Sequence, residues 1–101
     1  MATPDMLRDV FNRFRPPEPP FEPGQLVQWK EGLKNRRSPK MGEPAVVCQI
    51  LDEPIISDKE KDSGSAYFRE PLDVLLGFFD EEDRIFVVYH LDSRRFESYR
   101  E

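Results

Sequence analysis

The sequence predicts a mainly β protein: a small barrel of four or five strands with an N-terminal α-helix and a short C-terminal helical turn. Three observations carry this expectation. Two strongly apolar runs, Leu72 to Phe79 and Arg84 to Leu91, are separated only by Asp80, Glu81, Glu82 and Asp83, the pattern of an antiparallel hairpin. Two earlier runs, Gln25 to Lys30 and Ala45 to Leu51, are bounded by Pro23-Gly24, Glu31-Gly32, Pro44 and Asp52 to Pro54, so turn chemistry marks their ends. Eight Phe, three Tyr and one Trp in 101 residues supply enough large rings for one core, because each buries about 150 to 250 Å².

Taken in order, residues 1–15 form a helix. Thr3 is placed to cap it, Pro4 suits its first turn, Asp5 favours its positive end, and Met6, Leu7, Val10, Phe11 and Phe14 share one face. Two readings of that face stand: it packs on the chain's own barrel, or it enters a groove on another chain. Pro16, Pro17, Pro19, Pro20 and Pro23 make residues 16–23 a stiff, extended linker. Residues 24–101 are then the barrel domain. Within it Ala45 to Leu51 reads as a largely buried strand and Asp58 to Ser65 as a polar loop. Asp92 and Ser93 can cap a helical turn, with a short closing strand after it. Closing the sheet would remove its exposed edges.

A chain of this length buries about two-thirds of its unfolded surface, which allows one modest core. No apolar run approaches the roughly 18 residues of a membrane helix, and no secretory signal opens the chain, so a cytoplasmic address without membrane contact is expected. Cys48 is the only cysteine and His90 the only histidine, which excludes an internal disulfide and a multi-histidine or multi-cysteine metal site. Cys48 reads as a small core residue and His90 as a structural strand residue. Asp80 to Asp83 lacks the spaced ligands and glycine turn of a calcium loop and reads as a solvated hairpin tip. No phosphate-cradling loop, nucleophile elbow or paired catalytic carboxylate is present. The expectation is therefore a protein that is not an enzyme and needs no cofactor or metal.

Residues 23–29, Pro23-Gly24-Gln25-Leu26-Val27-Gln28-Trp29, followed after a loop by Gly42-Glu43-Pro44-Ala45-Val46-Val47, resemble the opening of SH3-like barrels such as the MazF and PemK toxin family. The likeness spans about a quarter of the chain and implies an SH3-like barrel, a fold that often works as a dimer. In that family an arginine precedes the proline of the second motif, and a threonine follows a Pro-Ile pair further on. Both serve RNA cleavage. Glu43 and Ile56 stand nearest those positions here, and a carboxylate repels phosphate while isoleucine moves no proton.

Charge is unevenly spread. Residues 1–40 hold eight Lys and Arg against five Asp and Glu, net +3, whereas residues 41–101 hold seven against fifteen, net −8. An acidic body argues against global attraction to nucleic acid. Two local patches could still bind a partner. The first is the loop of Lys30, Lys34, Asn35, Arg36, Arg37 and Lys40 with Trp29 at its base, which offers planar donor forks and a stacking face. The second is the turn carrying Arg94, Arg95 and Phe96, which is either a contact element or a structural turn in which Asp92 is the cap and Arg95 pairs with a barrel carboxylate. The function expected is a small protein-interaction module whose partner is another protein or a second copy. The alternatives are weak nucleic-acid binding through the basic loop and a toxin-type endoribonuclease.

Overall fold

The computed structural model describes residues 2–56, 69–80, 82 and 84–101. Helix α1 (Pro4–Arg13) begins as the sequence predicts: Thr3 is its extended N-cap, and the Met6 amide donates to Thr3 Oγ1 at 3.1 Å. Asp5 and Asp9 pair with Arg8 and Arg13 along its polar side. None of its residues is buried, and Met6, Leu7 and Phe11 are exposed. The proline run that follows stays largely at the surface until Phe21, which enters the core.

Five strands then form one antiparallel sheet: β1 (Leu26–Trp29), β2 (Ala45–Ile56), β3 (Pro71–Phe79), β4 (Phe86–Leu91) and β5 (Phe96–Ser98). A single 3₁₀ turn, Ser93–Arg95, precedes β5. The strand order is β4-β3-β2-β1-β5, so the last strand returns beside the first, and β4 and β5 form the two edges. The chain enters β1 through Pro23-Gly24. Gly24 holds φ at +92°, a backbone that residues with a side chain rarely adopt, while its amide donates to the Val47 carbonyl at 2.8 Å. The predicted hairpin is present as β3 and β4, paired from Val74 with Leu91 to Phe79 with Phe86. Its tip is partly described: the Glu82 amide donates to Asp80 Oδ1 at 3.0 Å and the Arg84 amide to the Asp80 carbonyl at 2.7 Å. The predicted loop from Asp58 to Ser65 lies outside the described residues. No helix among the described residues is long and apolar enough to cross a membrane.

One face of the sheet carries the core. Val27, Trp29, Ala45, Val47, Val74, Leu76, Phe78, Leu91 and Phe96 are buried there with Phe21, and Val87 packs against them. Trp29 and Phe96, paired across β1 and β5, stack with ring centroids 4.2 Å apart. Trp29 Nε1 donates to the Pro39 carbonyl at 2.6 Å, which satisfies the one polar atom that so deep a burial would otherwise strand.

Two sequence expectations are corrected along β2. The strand is not largely buried: only Ala45 and Val47 are enclosed, because the sheet packs on one face and the alternate residues turn outward. Cys48 is exposed rather than a core residue. By alternation from Val46 it lies on the outer face, on the side of Gly77, and it is also the extra residue of a bulge, since the register moves by one between Val47 and Gln49. A second shift between Ile50 and Ile55 lets the strand run on through Pro54 to Ile56, where a proline in a regular ladder would be excluded.

On the outer face Gly77 makes room for a ring. A Cβ there would stand 2.2 Å from Phe86 Cζ and 3.0 Å from Cys48 Sγ. Gly77→Val is expected to displace the Phe86 ring and cost about 1 to 3 kcal/mol in urea unfolding. Adding Phe86→Ala should recover at least part of that loss. A double variant no more stable than the single one would show that the ring contact is not the cause.

Candidate functional site

The basic loop is turned inward and held on a buried carboxylate that lies far away in sequence. Glu70, just before β3, is 4% exposed. Its Oε1 accepts from Arg36 Nη2 at 2.7 Å, and its Oε2 accepts from Asn35 Nδ2 at 2.8 Å and from Arg95 Nε at 2.6 Å. Arg95 Nη1 also donates to the Leu33 carbonyl at 3.0 Å, and Leu33 is buried. The two patches read from the sequence as separate are thus one assembly, with Glu70 clasping the loop to the turn. Charge-assisted bonds of this kind are about twice as strong as neutral ones, and here three donors share one acceptor group.

Two more loop cations, Lys30 and Lys34, reach backbone carbonyls. Lys34 Nζ donates to the Arg36 carbonyl at 2.6 Å. Lys30 Nζ donates to the Arg13 carbonyl and, at 3.2 Å, to that of Arg15, which fastens the end of α1 to the sheet. Burial pushes the Lys30 ammonium below its ordinary pKa, against the upward pull of Glu97 and Asp92 and with Arg13 adding to the downward push. Arg37 and Lys40 are the exposed cations of this loop.

In the C-terminal turn Asp92 is buried and caps the 3₁₀ turn by accepting from the Arg94 amide at 3.0 Å. The Arg94 guanidinium returns to the same carboxylate through Nε and Nη2, the latter at 2.8 Å, and these bonds hold its pKa above the ordinary arginine value despite partial burial. Ser93 donates to Asp73 through both its amide (2.8 Å) and its hydroxyl (2.7 Å). Arg94 and Arg95 both lie over the Phe14 ring, at 4.3 and 4.8 Å from its centroid, so the turn also seats the end of the helix.

These placements correct the sequence reading of individual side chains. Trp29 offers no stacking face, because it is 1% exposed, and Phe96 is fully enclosed beneath it. A lone tryptophan beside a cationic loop has the same sequence signature whether it faces water or the core. Asn35, Arg36, Arg94 and Arg95 spend donors on Glu70 and Asp92 rather than presenting them all outward. Asp92 does cap the turn, and Arg95 does pair with a carboxylate of the sheet domain. Glu70, which sequence reasoning missed, is the residue that brings the two patches together; Asp73, also missed, holds Ser93, and Phe14 of the predicted helix face lies against Arg94 and Arg95. No local spacing could have found Glu70, since its partners lie 25 to 35 residues away.

The surface that stays open is on the other side of the sheet. Phe79 (67% exposed), Phe86 (49%) and Val88 (46%) share this face of the β3–β4 hairpin, and Ile85 (58%) is exposed at its tip. The Phe79 and Phe86 rings meet edge to face at 5.9 Å, and Cys48 lies next to Phe86 across Gly77. Tyr89 (45% exposed) sits on the core side of the same edge, against Phe78. Scattered apolar residues on a surface are ordinary, whereas here two rings and a branched side chain lie side by side.

No known family, no curated protein and no solved structure matches the chain.

Proposed function

We propose that this chain is a non-enzymatic protein-interaction module built on a small SH3-like barrel, with the β3–β4 face as its contact surface. One observation carries the reading: the aromatic and branched side chains of the hairpin lie open, while Arg36, Arg94, Arg95 and Trp29 of the two basic patches are engaged with internal partners. The order β4-β3-β2-β1-β5, in which the closing strand comes back to the first, suits a partly open barrel of this type. The rigid sheet supplies a preorganised platform, so little ordering entropy is lost when a partner docks.

The reading is tested with a photo-crosslinking phenylalanine analogue placed at Phe86 and, separately, at Arg37, with each full-length protein irradiated in nuclease-treated lysate. Reproducible protein adducts from position 86, exceeding those from position 37, are the expected result. Adducts only from position 37, or recovery of nucleic acid alone when nuclease is omitted, overturn the reading in favour of the basic loop as a polyanion contact.

A further inference from the structure

We propose that β4 is a docking edge for an extended segment of another protein, apolar at alternate positions and flanked by Lys or Arg, which joins the sheet as a sixth strand. This rests on the interaction-module reading and specifies the partner's chemistry. The main-chain geometry comes first. The Asp80 amide donates to the Ile85 carbonyl at 2.8 Å, and bonded and non-bonded pairs alternate along an antiparallel ladder. With Phe79 opposite Phe86 and Phe78 opposite Val87, the amides and carbonyls of Val87, Tyr89 and Leu91 turn toward β3. Those of Phe86, Val88 and His90 turn toward the open edge, where no strand among the described residues pairs with them.

The two edges of the sheet are treated differently. Natural sheets protect an edge by making it short, by placing a charge on it, or with proline. β5 is three residues long and carries Glu97, which accepts from Gln28 and from Arg100. β4 is six residues long, Phe86-Val87-Val88-Tyr89-His90-Leu91, with no Lys, Arg, Asp, Glu or Pro. It is thus the edge left available for strand addition, the mode in which main-chain bonds give affinity and alternate side chains give specificity. A strand laid beside it would place every second side chain next to Phe86 and Val88.

Charge selects the occupant. Residues 41–101 carry net −8, and at the hairpin tip beside the edge Asp80 and Glu82 outnumber Arg84. A second copy would bring the same sign of charge to the same edge, whereas a segment with basic flanks is attracted to it.

The test uses the full chain, isotope-labelled, and two acetylated peptides of alternating valine and threonine, one with paired lysines at its ends and one with paired glutamates. The lysine-flanked peptide is expected to shift the amides of Phe86, Val88 and His90 and slow their hydrogen exchange, while Val87 and Tyr89 change little. It should bind about tenfold or more tightly than the glutamate peptide at low salt. Val88→Pro removes an outward N–H at no cost to the β3 ladder and should abolish binding. Val88→Lys, which keeps the N–H but adds like charge, should weaken it about tenfold. The proposal is overturned if those three amides already exchange slowly in the free monomer, if the two peptides bind alike, or if the unliganded chain dimerises through β4. Crosslinking of proteins at position 86 without any response of these amides would leave the interaction reading standing and remove strand addition alone.

Discussion

Trp29→Ala is expected to remove about 3 to 5 kcal/mol of folding stability, the largest single-residue effect in the molecule. The indole is almost fully enclosed, stacks on Phe96 at 4.2 Å and donates to the Pro39 carbonyl. Truncation therefore empties the space between β1 and β5 and strands a carbonyl at once. A domain of this size holds about 5 to 15 kcal/mol in total, so the variant should be partly unfolded at room temperature or melt at low urea. Far-UV circular dichroism is the appropriate measure, since the substitution removes the only tryptophan. Trp29→Phe keeps a ring and loses the donor, and should fall between the two. A midpoint for Trp29→Ala close to that of the parent would mean that the aromatic pair does not organise the core.

Glu70→Ala should cost about 2 to 3 kcal/mol, below the upper range for breaking a buried pair because Arg36 and Arg95 are partly exposed and water can solvate them. Three donors lose their acceptor together, and the tie between the loop and the 3₁₀ turn goes with them. Hydrogen exchange should accelerate at the Leu33 and Arg95 amides more than at Val74 or Leu76 in the sheet. Glu70→Gln retains an acceptor of the same shape and should lose less. An alanine variant with unchanged loop exchange and a stability loss below about 0.5 kcal/mol would contradict the clasp.

Much of the architecture was legible because its signals are local. The α1 cap at Thr3, the β3–β4 hairpin, the cap of the last turn and the short strand after it all follow from residues within a few positions of one another. Trp29 and Val74 lie in the interior with Val87 packed against it, whereas Val46 sits on the alternate position opposite Gly77. What sequence reasoning missed depends on long-range geometry. Cys48 looks like a core residue in the apolar run of Ala45 to Leu51, but only one face of the strand is covered, and alternation from buried Ala45 and Val47 puts it on the other. The basic loop looks solvated because Glu70 gives no sign of its partners. The open hairpin face was hidden for the opposite reason: a continuous apolar run such as Phe86 to Leu91 reads the same whether a strand lies in the middle of a sheet or at its margin.

The separation between Glu70 and the groups it binds also sets the order of events along the folding route. Arg36 is 34 residues from Glu70, and Arg95 is 25 from Glu70 and 62 from Leu33. Contacts that span so much chain carry a loop-closure penalty until neighbouring strands have already drawn the ends together. The carboxylate is therefore expected to engage late, so that Glu70→Ala quickens unfolding more than it slows refolding, a partition that stopped-flow rates in urea would measure.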